Sequence, residues 1–220
     1  MSKHLRRELE KIKKKMLSLG ALVEERARMA VEAVEGRDAD IAERIINSDW
    51  EVDEMEVEIE EECLKLLALY QPVAVDLRFL VATIKINNDL ERIGDEAVNI
   101  AERLQVVAKR PPLAFVFDYT PMAEKVLAML KMSLDALVNL DVDTAYKVIF
   151  MDDEVDDIQV QAYQRIKQSI KENPDRVSLL INLLLISRHL ERLADHSTNI
   201  AEEVVHLIEG EIVRHGKIPE

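Results

Sequence analysis

Helix breakers are rare in this 220-residue chain, which holds five glycines and six prolines. Aromatic residues make up only 4% of it, while Ala, Leu, Glu, Lys and Arg abound, the profile of an all-helical protein with long helices. The single cysteine, Cys63, excludes an internal disulfide framework and a Cys-rich zinc site. It falls in a helical apolar pattern and reads as buried filler rather than a reactive thiol. No run approaches the ~18 uninterrupted apolar residues of a membrane span, and no apolar signal core follows the basic N-terminus. A soluble, cytoplasmic protein is therefore expected. Positive charge is also in short supply: the net charge of −14 argues against nucleic-acid binding, which wants a basic surface. No Gly-rich phosphate loop, nucleophile elbow or Ser/His/Asp arrangement is present. A ferritin-like di-iron site needs Glu-x-x-His on two helices, and only Glu203-Val204-Val205-His206 fits.

What the chain has is a repeat. The stretch from Asn88 to Glu102, with Leu90-Glu91-Arg92-Ile93-Gly94-Asp95 and Asn99-Ile100-Ala101-Glu102, returns about 100 residues later. The second copy carries Leu190-Glu191-Arg192-Leu193-Ala194-Asp195 and Asn199-Ile200-Ala201-Glu202. Asp38-x-Asp40-x-Ala42 likewise pairs with Asp141-x-Asp143-x-Ala145, and Asp49-x-Glu51-Val52-Asp53 with Asp152-x-Glu154-Val155-Asp156. The chain thus reads as two tandem three-helix bundles related by an internal repeat, an all-α fold with an approximate twofold relation. Helices are expected over 5–35, 39–70, 72–108, 120–140, 141–172 and 173–210. The first bundle spans 1–109 and the second 119–215, joined by a linker over 110–118. The linker's aromatic residues are expected to pack against a bundle. The basic start of the first helix, Arg6 to Lys15, reads either as a solvated face or as a surface for a partner or anionic membrane.

Each half carries two carboxylate pairs spaced i, i+4, which stacks them on one helix face. They are Asp49/Asp53 and Glu91/Asp95 in the first half, Asp152/Asp156 and Glu191/Asp195 in the second. On a helical wheel these acids fall at the margin of the apolar faces, turned toward neighbouring helices and away from the solvated stripe Glu51, Glu54, Glu58, Glu61 and Glu62. Gly94 and Ala194, between the acids, are small enough to admit a neighbouring helix. Carboxylates meeting at such a seam repel by roughly 4 kcal/mol per pair at 4 Å and an effective dielectric near 20. Two remedies stand open. Hard divalent or trivalent cations take carboxylate oxygens, with Asn88, Asn99 or Asn199 adding a carbonyl. Alternatively Arg78, Arg92, Arg188 or Arg192 neutralises the acids as ion pairs. His189 and His196 rotate off the acid face and read as surface histidines, and Trp50 as core or edge packing.

The doubled Glu-Arg-x-x-Asp-x-x-x-Asn-Ile-Ala-Glu pattern, with Pro72-Val73-Ala74-Val75-Asp76-Leu77-Arg78 ahead of its first copy, resembles the PhoU family of phosphate-uptake regulators over essentially the whole chain. The resemblance implies a non-enzymatic accessory to a phosphate ABC transporter, which helps hold a sensor histidine kinase in its repressing mode when phosphate is plentiful. It implies partners in the transporter ATPase and the kinase, membrane association only through them, and a homodimer. It also implies metal clusters (Fe, Zn, Mn, Mg or Ca) at Asp49, Asp53, Glu91, Asp95, Asp152, Asp156, Glu191 and Asp195. Because Asn88-Asp89 becomes Arg188-His189 and Glu56 becomes Gln159, the second site is expected to be the weaker. A metal-dependent enzyme and a passive scaffold are the alternatives.

Overall fold

The computed structural model describes residues 3–111 and 117–210, and every regular element among them is helical. The order is α1 (Lys3–Gly36), α2 (Ala39–Asn47), α3 (Trp50–Tyr70), α4 (Ala74–Ala108), α5 (Thr120–Asn139), α6 (Val142–Glu172) and α7 (Val177–Glu209), with a 3-10 turn at Pro174–Arg176 leading into α7. α1, α2, α3 and α4 pack into one bundle, and α5, α6 and α7 into a second. No helix among the described residues is long and apolar enough to cross a membrane.

Local chemistry explains the boundaries. Asp38 accepts from the backbone N–H groups of Asp40 at 2.9 Å and Ile41 at 3.0 Å, capping α2. Asp141, its counterpart, accepts from Thr144 N and from Thr144 Oγ1 at the head of α6. The expected helix over 39–70 is broken. Ser48 Oγ turns back onto the carbonyls of Arg44 (2.7 Å) and Ile45 (3.2 Å), so side chain competes with helix and the chain re-enters as α3. Met151 stands at the matching place of the second half and has no hydroxyl to do this; α6 runs through unbroken. The next helix starts at Ala74 rather than Pro72, because Gln71 closes α3 in a left-handed conformation (φ 43°) and Val73 is extended.

One apolar core runs through both bundles, from Leu19, Val23, Ile93 and Ile100 to Leu193 and Ile200. The most extensive helix pair is α4 against α7, so the two copies of the repeated motif form the central seam. Cys63 is buried in this core and its thiol is pushed up to about 12, first by burial.

The linker packs as expected where it is described. The Phe117 and Tyr119 rings meet edge to face at 5.2 Å, and Tyr119 Oη donates to the Leu183 carbonyl at 2.7 Å. Leu113, Phe115 and Val116 lie outside the described residues. Tyr119→Phe removes that one bond while keeping the ring, so it is expected to cost about 1 kcal/mol. In a thermal unfolding scan the midpoint should drop by about 3 °C; an unchanged midpoint would show that the hydroxyl contributes nothing.

Candidate functional site

The acids of each half face one another from two helices, but among the described residues only Asp156, Glu191 and Asp195 of the second half bring three carboxylate oxygens close together. Val52 of α3 rests on Gly94 of α4, where an added Cβ would stand 3.2 Å from Val52 Cγ1. This close approach brings Asp49 and Asp53 across from Glu91 and Asp95. In the second half buried Val155 and buried Ala194 occupy the matching places, and Asp152 and Asp156 come across from Glu191 and Asp195.

The second cluster is the tighter. Asp156, Glu191 and Asp195 each present an oxygen within 4.8 Å of the others. Charges that close repel by about 3 kcal/mol per pair at an effective dielectric near 20. Burial, then Asp195 and Asp156, push the Glu191 carboxyl up to about 7, against the opposing field of Arg188. Asp152 stands slightly apart, accepting from Thr198 Oγ1 at 3.1 Å. Burial still outweighs that bond, and Asp195, Asp156 and Asp153 add to it, so Asp152 rises to about 6. Asp195 is raised by burial and Asp156.

The first cluster is partly neutralised from within. Arg92 Nη1 donates to Asp95 Oδ2 at 3.4 Å, and Arg92 Nε lies 3.4 Å from Glu91 Oε2. Burial raises Glu91 and Asp95 while Arg92 opposes it; burial, Asp53 and Asp95 raise Asp49, opposed by Arg26. Glu56, also raised by burial and by Glu60 and Asp53, adds an acid that the second half lacks, since Gln159 stands in its place. The trio of close oxygens thus lies in the second half, the half that residue content alone marks as poorer in acids. Glu91 Oε2 is nevertheless buried without a hydrogen bond.

The supporting residues divide. Arg92 sits on its own acids. Arg192, at the matching position, instead crosses to α4 and pairs with Glu96 Oε1 at 2.9 Å. Asn199 also crosses, donating to Asp89 at 3.1 Å. Asn88 is exposed and Asn99 half-buried. Arg188 lowers Glu191 only through its field. Of the stripe read as solvated, Glu51 pairs with Arg26, and Glu58 and Glu62 lie 2.6 and 2.7 Å from Lys15 Nζ, so α1 uses part of its basic start to hold α3.

The histidines are a correction. They do leave the acid face, but they are not surface residues: their side chains are only 15% and 16% exposed. His189 Nδ1 lies 2.6 Å from Glu96 Oε2, and His196 Nδ1 lies 3.0 Å from Asp89 Oδ1. Position 89 meets 196 and position 96 meets 189, so repeat-equivalent places contact each other crosswise about the internal twofold axis, with the helices antiparallel. Lys85 adds an ion pair to Glu203 at 2.7 Å across the same seam. Burial opposes ionisation of Glu96, but the His189 hydrogen bond and the fields of His189, Arg192 and His196 outweigh it and hold its carboxyl below the usual range.

With both imidazoles turned to α4, the cluster donors are carboxylate oxygens, the set that hard cations take. The residues present fit a cation best at Asp156, Glu191 and Asp195, with Asp152 beside them. A separate apolar groove of about 820 Å³ between α1, α4, α5 and α7 contains none of these acids.

An all-α tandem repeat whose two copies pack face to face, each beside a carboxylate cluster, defines the class. The PhoU domain matches residues 16–104 and again 120–204. A phosphate-specific transport system accessory protein PhoU homologue of Aquifex aeolicus is 40% identical over 214 residues, 97% of each chain. The crystal structure of PhoU from Pseudomonas aeruginosa superposes with a TM-score of 0.91 at 34% identity, covering 94% of this chain and 99% of that one. The phosphate transport system regulatory protein PhoU from Streptococcus pneumoniae gives 0.85 at 33% identity, covering 96% and 100%. The chain belongs to the PhoU family.

Proposed function

We propose that this protein is a non-enzymatic accessory regulator of phosphate uptake. In this reading it couples a phosphate ABC transporter, through its ATPase, to a sensor histidine kinase, and holds the phosphate-starvation response repressed. It acts in the cytoplasm as a homodimer and reaches the membrane through its partners. The likeness to phosphate-transport accessory proteins along nearly the whole chain supports the role. The observation that carries the cation part is the trio Asp156, Glu191 and Asp195, with oxygens within 4.8 Å of one another.

A bound divalent or trivalent cation would supply the positive charge this trio lacks and tie α6 to α7. The protein's own residues set the rest: the Glu96 and Asp89 pairs register α4 on α7, so a displacement of α6 against α7 is delivered to the central seam. That is a coupling between surfaces and needs no turnover.

Co-purification of the intact protein with the transporter ATPase and the kinase tests the role. Both partners are expected with wild type, and loss of the phosphate-dependent kinase response with Glu191→Gln/Asp195→Asn. Retention of neither partner, or turnover by the cation-loaded protein alone, would overturn the adaptor reading.

A further inference from the structure

The two copies of Leu-Glu-Arg-x-x-Asp carry the same arginine at the same place, yet the structure puts the two guanidinium groups to opposite uses. Arg92 lies within 3.4 Å of both Glu91 and Asp95, the acids one residue before and three after it. Arg192 has Glu191 and Asp195 in the same relation, so its helix offers it the same contacts. It makes neither as an ion pair; its Nη1 goes to Glu96 across the seam at 2.9 Å. The internal twofold explains the choice. The contact equivalent to Arg192–Glu96 would join Arg92 to His196, since 96 and 196 are matching positions. His196 offers no negative charge and its Nδ1 already faces Asp89, so Arg92 keeps to its own acids, while a buried carboxylate, 2% exposed, draws Arg192 away.

We infer that Glu96 is a positioning residue that makes the two carboxylate clusters unequal, drawing Arg192 off the Glu191/Asp195 cluster and leaving it open to a cation, while the Glu91/Asp95 cluster is filled by its own arginine. This rests on the cation reading above. Among the charged groups facing the second cluster, Arg188, Arg192 and His196 act on it at range, and none forms an ion pair with its carboxylates. One substitution between the repeats, glutamate against histidine, thereby makes one of two similar acid clusters the stronger cation site and the other the weaker.

The test uses Mn²⁺ titrated into the full chain, with free ion counted by electron paramagnetic resonance and each site assigned by Glu191→Gln and Glu91→Gln. Wild type should bind more tightly in the second half. Glu96→Gln, which keeps a hydrogen-bonding group for His189 but removes the charge, should release Arg192 and weaken that site about tenfold, the effect of a unit charge roughly 6 Å from a divalent ion at near-water dielectric. Glu96→Gln/Arg192→Gln should recover the affinity, which damage to the seam would not allow, and Arg92→Gln should tighten the first site. Equal sites in wild type, or a double variant as weak as Glu96→Gln, would overturn the inference. A crystal structure of Glu96→Gln reads the arginine without any ion: a guanidinium still on α4 overturns the inference alone. Absence of Mn²⁺ binding to wild type overturns the cation reading and the inference with it.

Discussion

In cation-free buffer this protein should lose thermal stability as the pH is raised from about 5 to 8, and a divalent cation should restore it. The cause is the second cluster. Glu191 titrates near 4.5 when unfolded and at about 7 when folded, and Asp152 moves from 3.8 to about 6. Between the unfolded and folded values the native state holds more protons than the unfolded one. Stability is therefore full below the unfolded values and falls as pH rises through the folded ones. Asp49, Glu56, Glu91, Asp95 and Asp195 are raised as well and act with the same sign. Glu96 is lowered and has the opposite sign, but its contribution is lost only as pH falls through its depressed value, below this window. The groups are partly solvated, so screening reduces the combined loss to about 1–2 kcal/mol. Cation at a hundred times its dissociation constant returns about 2.7 kcal/mol. Differential scanning calorimetry with and without chelator, on wild type and Glu191→Gln, measures both. A flat pH profile in wild type, or one that Glu191→Gln leaves unchanged, would remove the cluster as the cause.

Gly94→Leu should spread the acids of the first cluster apart while leaving the second intact. Gly94→Ala is the control, because its effects oppose each other. Alanine gains about 1 kcal/mol of helix propensity over glycine, against a Cβ that meets Val52 at 3.2 Å and needs a few tenths of an ångström of give. That balance is near neutral. Leucine adds three more carbons in the same place, and overpacking of this kind costs about 1–3 kcal/mol. α3 can yield because the break at Ser48 already detaches it from α2, so the strain should go into moving Asp49 and Asp53 away from Glu91 and Asp95. Cation affinity of the first half should then fall, with the second half unchanged. Equal loss in both halves would mean that the substitution disturbs the shared core instead.

Much of this architecture was legible in the sequence because helices follow local rules. The 3.6-residue spacing of Ile86, Leu90, Ile93, Ala97, Ile100 and Leu104 marks a face that is buried throughout, and Asp38 and Asp141 cap where their type and position say they should. The repeat identified the acids and the helices that bring them together. The Ser48 break was less visible, since it depends on one hydroxyl competing with the helix in a run that otherwise reads as continuous. The seam between halves was missed because a helical wheel says which face a residue is on, not which helix covers it. Glu96, Asp89, His189 and His196 appeared as ordinary polar residues. Their signal was there: at both positions an acid in one copy is a histidine in the other, the pattern expected where twofold-related places touch. The different partners of Arg92 and Arg192 depend on the path of one side chain across the seam, which residue counting does not resolve.

Trp50 was read from the sequence as packing, yet the residue is 60% exposed at the start of α3, next to Asp49. It is also the only indole in the chain. The molecule therefore carries an indole beside one cluster and none beside the other, so indole emission reports events in the first half and not in the second.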